Sequence, residues 1–355
     1  MSAPEEKRGN AVPAKLGYRF PAEWEPHAAT WISWPHAEGF SFPGAYERVL
    51  PAFVRMVEAL AKSEPVFINV KDAEQEELVR KLVAKVDPAH VRFHRIATDE
   101  PWCRDHGPTF LTRKGAAGLG AVKWRFNAWG YKYAPFEKDD EAGIAMAEVA
   151  GAEMHQPDMV LEGGAIETNG RGTILTTRSC LLNPNRNPGL TQKEIEARLR
   201  DYLGARKVLW LGDGIEGDDT DGHIDDITRF VDHDRVVTCV EEDPEDPNHA
   251  PLRENRALLA EMKTADGDPL EIIDLPMPPR ITRQGQRLPA SYANFYIANR
   301  VILLPAYADP ADQWAATILQ HAFPDLEVIP IDCRELIWGL GAFHCLTQQV
   351  PLPSA

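Results

Sequence analysis

The stretch Asp218-Asp219-Thr220-Asp221-Gly222-His223-Ile224-Asp225-Asp226 sets five carboxylates around one histidine beside a glycine turn. Three other polar clusters adjoin glycine turns in the same way: Trp102-Cys103-Arg104-Asp105-His106-Gly107-Pro108, Leu161-Glu162-Gly163-Gly164 and Gly341-Ala342-Phe343-His344-Cys345-Leu346. Measured between Asp105, Glu162, His223 and Cys345, the gaps are 57, 61 and 122 residues, so the last is close to a double spacing. Asn294, in Ser291-Tyr292-Ala293-Asn294-Phe295, falls inside that double gap. A period of about 50 to 60 residues belongs to propellers and arrays. One polar residue per repeat, all converging on a central axis, would build a single site.

The intervening sequence fits a mixed α/β repeat. Val49, Leu50, Phe53, Val54, Val57 and Leu60 share one helical face over residues 45–62, and Pro65-Val66-Phe67-Ile68-Asn69-Val70 reads as a buried strand. Asp72 with Gln75 forms a capping pair for a second helix through Leu78, Leu82 and Val86. Further strands are expected at Val91–Ile96 and Ala121–Phe126, and further helices near 141–150, 191–203 (Thr191 and Glu194 as capping box), 249–262 and 311–322. Hairpin turns are expected at Asn169-Gly170, Asp232-His233-Asp234 and Asn299-Arg300. Without a Gly/Ser linker or low-complexity tract, 1–355 is expected to form a single catalytic domain, with 1–16 as a flexible N-terminus.

Composition narrows the chemistry. With 44% hydrophobic residues and 26% charged ones the chain can bury a substantial core. A net charge of −16 disfavours nucleic acid and anionic membranes and favours a cationic small molecule. The N-terminus lacks the apolar core of a secretory signal, so a soluble, cytoplasmic protein is expected. Cys103, Cys180, Cys239, Cys333 and Cys345 are scattered without a CxxC pair, which argues against a disulfide framework and a zinc cluster. The acidic run at 218–226 has the composition of a calcium loop but not the EF-hand spacing, so neither metal nor organic cofactor is expected.

Seven blocks, in order, resemble the signature segments of the agmatine deiminase and bacterial peptidylarginine deiminase family of guanidine-modifying enzymes. They are Pro21-Ala22-Glu23-Trp24-Glu25-Pro26-His27, the Arg-Asp-x-Gly-Pro block at 104–108, Phe126-Asn127-Ala128-Trp129, Glu162-Gly163-Gly164, Asn185-Arg186-Asn187-Pro188, Gly222-His223-Ile224-Asp225 and His344-Cys345-Leu346-Thr347-Gln348-Gln349. The resemblance runs from about residue 18 to 352. It implies a five-bladed, pseudo-fivefold α/β propeller (pentein fold) of ββαβ units around a narrow central site, and homo-oligomerisation as a family trait.

A guanidinium is planar, cationic and resonance-stabilised, so attack at its carbon calls for a strong nucleophile and for carboxylates that hold it by paired hydrogen bonds. By the resemblance, Cys345 attacks and forms a covalent amidino-thioether. His223 first protonates the departing ammonia and then activates water. Asp105 and Asp225 clamp the guanidinium nitrogens, and Glu162 orients the histidine. Asp219 binds substrate, Trp102 lies beside the same pocket, and Asn294 is a candidate contact.

The expected reaction is hydrolysis of agmatine to N-carbamoylputrescine and ammonia. The alternatives are deimination of peptidyl or free arginine, transfer of the amidino group to an amine, and a non-catalytic binding protein for cationic metabolites. Free arginine would need a cation for its carboxylate, with Arg104 and Arg186 as candidates. Trp24, Trp31, Trp34 and Trp129 are assigned to core or rim packing, because large aromatics are mostly buried.

Overall fold

A computed structural model describes residues 12–353 except Ala116. The chain builds five copies of one unit. Each is an antiparallel strand pair whose second strand continues through a helix into a third strand, parallel to the second. In one unit Thr109–Arg113 pairs antiparallel with Gly120–Val122, and Glu137–Val149 leads to the parallel Glu153–His155. The next uses Ile166–Thr168, Thr173–Thr177, the helix Gln192–Leu203 and Lys207–Leu211. It is followed by Thr228–Phe230, Arg235–Val240, His249–Glu261 and Glu271–Pro276, and then by Tyr296–Ile297, Val301–Ala306, Pro310–Ala322 and Glu327–Asp332.

The fifth unit joins the two ends of the chain. The C-terminal Thr347–Pro351 pairs antiparallel with His27–Ser33, and Tyr46–Leu60 then leads to the parallel Val66–Asn69. An additional helix, Ala73–Leu82, adds the parallel strand Val91–His94. The ring is closed by hydrogen bonds between residues more than 300 positions apart, and the result is the five-bladed α/β propeller that the family resemblance implies.

Local chemistry accounts for the elements. Asp72 caps the helix after it through the Gln75 amide, Thr191 and Glu194 form a reciprocal capping box, and Asp309 with Asp312 forms another ahead of Pro310 in the first turn. Val301–Ala306 is buried at every position, as a strand covered on both faces requires. Three expectations shift. Ala121–Phe126 is strand only to Val122, and the helix expected at 141–150 begins at Glu137. Pro13–Leu16, placed in the flexible N-terminus, forms a 3-10 turn packed on the helix Gln192–Leu203. Residues 1–11 of that expected terminus lie outside the described residues.

Each unit's first strand is entered through a tight turn. These turns are Cys103–His106, Gly163–Ala165, Ile224–Asp226, the bend at 292–293, and Phe343–Leu346. The turn at 343–346 packs on that at 103–106, which packs on 163–165, which packs on 224–226. The fold therefore brings together five segments that are far apart in sequence, and the polar clusters lie on them.

Candidate active site

Cys345, Asp105, Trp102 and Asp219 line one cavity of about 220 Å³, together with Phe40, Trp129, Tyr133, Arg283 and Trp338. His223, Asp225, Glu162 and Asn294 lie in the wall behind it, each essentially sealed from solvent. All eight candidate residues thus gather at one place, in two layers.

The thiol of Cys345 is held by Asn294, whose Nδ2 lies 3.0 Å from Sγ and also donates to Asp226 Oδ1 at 3.0 Å. The Asn294 Oδ1 accepts from the backbone N–H of Ala342 at 3.1 Å, which fixes the loop ahead of Cys345. Gly341 is needed there for space: a Cβ would sit 2.8 Å from the Trp102 ring and 3.1 Å from Sγ. Sγ is 3.6 Å from Asp225 Oδ2. Burial, together with Asp225, Asp226 and Asp105, pushes the thiol pKa well above its ordinary value. The free protein therefore carries a thiol at neutral pH.

Asp105 is fixed at both oxygens, by the Gly164 amide to Oδ1 (3.0 Å) and by the Trp129 indole to Oδ2 (2.9 Å). Burial raises its pKa to about 6, with His223 pulling the other way. Asp225 accepts from His344 Nδ1 at 2.6 Å, while its Oδ1 is buried without a partner among the described residues. Burial works against the Asp225 carboxylate, but His344, His223 and Arg229 hold its pKa below the ordinary value.

His223 Nδ1 stands 3.8 Å from Asp105 and 3.9 Å from Asp225, and neither ring nitrogen has a hydrogen-bond partner among the described residues. Burial disfavours its cation, yet Asp105, Cys180 and Asp225 together hold its pKa well above the ordinary value. Gly164 closes on this group so tightly that a Cβ would come within 2.6 Å of His223 Nδ1 and 3.0 Å of both Asp105 and Asp225.

Glu162, expected to orient His223, makes no hydrogen bond to it among the described residues. Its Oε1 accepts from Arg186 Nε at 2.5 Å, and Oε2 is left without a partner among the described residues. Donor atoms of Glu162, Cys180 and His223 lie within 4.8 Å of one another, the geometry a metal would need. The Arg186 guanidinium already neutralises the carboxylate and would repel a further cation, so the group is better suited to orienting the imidazole.

At the outer end of the cavity, Tyr133 Oη hydrogen-bonds to the Asp219 carboxylate, and Tyr133 stacks on Phe40 with ring centroids 4.6 Å apart. Trp102 donates to Ser41 Oγ at 2.9 Å and keeps its ring against the nucleophile loop. Neither arginine considered for a substrate carboxylate is free. Arg104 is buried on Glu23 and Gln349, and Arg186 on Glu162 and Asp221.

Several lining residues escaped the sequence, Phe40 and Arg283 among them. Trp129 was assigned to packing but donates to Asp105, and Tyr133 carried no signal of its own. The Phe126-Asn127-Ala128-Trp129 block was the available clue for both. Among the described residues no helix is long and apolar enough to cross a membrane.

Residues 19–351 match the family described as Porphyromonas-type peptidyl-arginine deiminase. The chain is 38% identical to the agmatine deiminase of Pseudomonas aeruginosa (strain LESB58), over 97% of this chain and 98% of that one. Its fold is similar to the structure of the Enterococcus faecalis agmatine deiminase, with TM-score 0.91 and 31% identity, over 98% of this chain and 99% of that one. A cysteine-to-serine variant of the C. jejuni agmatine deiminase, solved with substrate bound, matches with TM-score 0.86 and 29% identity, over 95% of this chain and 97% of that one. The chain therefore belongs to the Porphyromonas-type peptidyl-arginine deiminase family, whose reaction class is hydrolysis of carbon–nitrogen bonds.

Proposed function

We propose that the chain hydrolyses the guanidinium of agmatine to N-carbamoylputrescine and ammonia. The observation that carries this is a buried carboxylate oxygen without a partner among the described residues, Asp225 Oδ1, on the side chain that lies against the Cys345 thiol. Leaving such an acceptor unpaired costs about 1–3 kcal/mol, which a planar donor entering the cavity would recover. The names of the relatives support agmatine as that donor.

The carboxylates of Asp105 and Asp225 hold the guanidinium nitrogens, and the arriving cation lets the Cys345 thiol release its proton to solvent. Sγ then attacks the central carbon, forming the S–C bond. His223, protonated in the free protein, gives its proton to the departing nitrogen, the C–N bond breaks and ammonia leaves. The neutral imidazole next takes a proton from water, whose oxygen attacks the same carbon. The S–C bond breaks, the ureido product departs, and the second water proton returns to sulfur. Asp219 and Tyr133 face the substrate's far end, where a primary ammonium meets a carboxylate and aromatic faces.

A second substrate has one observation in its favour. Arg283 lines the cavity beside Trp338 and would suit the carboxylate of arginine or a peptide. A ureido-product assay with agmatine, arginine and a peptidyl-arginine mimic, on wild type and Cys345→Ala, separates the two. Product from agmatine that disappears with the substitution supports the proposal. Product from arginine alone would transfer the function to that substrate, and no product from any guanidine would end the hydrolase assignment.

A further inference from the structure

His344 adjoins the nucleophile in sequence and is an obvious candidate for a proton carrier, yet both ring nitrogens are already engaged. Nδ1 lies 2.6 Å from Asp225 Oδ2, and Nε2 lies 2.8 Å from Glu23 Oε2. An ionised carboxylate oxygen only accepts, so both nitrogens must donate and the ring must be an imidazolium.

The alternative, a protonated carboxyl on one side, fits poorly. Glu23 also accepts from Arg229 Nη2 at 2.9 Å, the Ile297 amide at 2.8 Å and Arg104 Nη2 at 3.1 Å, which leaves no acceptor position for a proton of its own. Burial opposes its charge, but Arg229, His344 and Arg104 hold its pKa well below the ordinary value.

The ionisable groups around the ring come from every neighbouring unit: Glu23 from the N-terminal segment, Arg104, Glu167, Asp225 and Arg229 from the inner turns and strands, and Cys345 beside it. Glu167 accepts from Arg229 Nε at 2.9 Å, and Arg104 donates to the His344 carbonyl at 3.3 Å. The Tyr296 ring lies 5.9 Å from Arg104.

We propose that His344, held between Glu23 and Asp225, is a positioning residue for Asp225: it pins Oδ2 and leaves the partnerless Oδ1 turned toward the substrate guanidinium. His344 then carries no proton in the reaction, which falls to His223 alone. The proposal rests on the guanidinium function given above, and it explains why the Pro21–His27 block at one end of the chain accompanies His344-Cys345 at the other.

Two measurements test it. Selective 15N-histidine labelling of the wild-type protein, with the His344 signal assigned by its loss in His344→Asn, should show both ring nitrogens protonated at pH 8. A neutral tautomer there would overturn the proposal whether or not any guanidine is turned over, whereas a failed product assay would remove the assigned function and leave the ring's protonation unchanged.

The second measurement contrasts two substitutions. In His344→Asn the amide nitrogen stands where Nδ1 was and still donates to Asp225. In His344→Gln it stands where Nε2 was and serves only Glu23. His344→Gln should raise KM about tenfold or more above that of His344→Asn, the loss expected for a charge-assisted bond. The acid limb of kcat/KM, set by Asp105, should stay where it is in wild type. Equal rises in KM for both variants, or losses confined to kcat, would reduce His344 to a packing residue.

Discussion

Asp105→Asn should produce a stability difference that depends on pH in a way ordinary packing changes do not. The Asp105 carboxyl is raised from 3.8 to about 6 by burial. A raised acid binds its proton more tightly in the folded protein, so its contribution to stability is full at low pH and is lost as pH rises through the interval from 3.8 to about 6. Over pH 4.5 to 6 that loss is about 2 kcal/mol, at 1.36 kcal/mol per unit. Asparagine does not titrate and escapes it.

The constant part of the change should run the other way. Asn can accept from the Gly164 amide or from the Trp129 indole, not from both, and the mismatched donor pair costs about 1–3 kcal/mol. The variant should therefore be the weaker protein at pH 4.5 and should gain on wild type by about 2 kcal/mol by pH 6. In wild type His223 is protonated in both folded and unfolded chains below its ordinary pKa of about 6.5 and adds no slope in this window; in the variant Cys180 and Asp225 remain to hold its cation. Urea unfolding at several pH values reads the difference directly. A flat difference, or one that widens against the variant as pH rises, would refute the raised carboxyl. The same group should set the acid limb of the wild-type kcat/KM near pH 6, since only the ionised form grips a cation.

Arg186→Met should destabilise by about 3–5 kcal/mol, because Glu162 would keep a buried charge with nothing against it, and chemical denaturation would show it. Gly164→Ala should cost about 1–3 kcal/mol and most of the activity, since backbone and ring cannot both give way, whereas Gly189→Ala, with open space around its Cβ, should be nearly silent in the same assays. Tyr133→Phe removes the hydroxyl that holds Asp219 at the outer end; it should raise KM several-fold, by the roughly 0.5–1.5 kcal/mol of one hydrogen bond, and leave kcat nearly unchanged.

The parts legible in the sequence were those governed by short-range periodicity. The Asp72 and Thr191 caps, the strand within Pro65–Val70 and the spacing of the polar clusters follow from local patterns, and each turned up where expected. Strands as short as Tyr18–Arg19 and Tyr296–Ile297 are below the length at which alternation can be recognised. The strand expected to reach Phe126 ends at Val122, with Arg125 keeping only an isolated bridge to Val160, and the chain then turns through Ala128, Trp129 and Tyr131, all with positive φ, a conformation that side chains other than glycine's rarely declare. That turn is what delivers the Trp129 indole to Asp105 and the Tyr133 hydroxyl to Asp219. The Glu23 cluster was hidden for a different reason: its partners come from four other segments, and only the closed ring brings them together.

The charge pattern of the site sets the order of events. A thiol among Asp105, Asp225 and Asp226 is a poor nucleophile in the free protein, since each carboxylate opposes the thiolate. Replacing one of them by a neutral side chain would ease ionisation but weaken the grip on a cationic substrate, so nucleophile activation and substrate binding pull in opposite directions. A cationic substrate resolves the conflict, because it pairs with the carboxylates and stabilises the thiolate at once. His223 cannot supply that charge and remain the acid for the leaving group unless it stays protonated until the C–N bond breaks, and the raised pKa held by Asp105 and Asp225 provides that. A neutral analogue of the guanidine, a urea of the same length, should therefore leave Cys345 slow to alkylate with iodoacetamide at pH 8, while a cationic analogue too bulky at carbon to react should accelerate it. Acceleration by the urea, or none by the cation, would mean that the thiolate is formed by the protein alone.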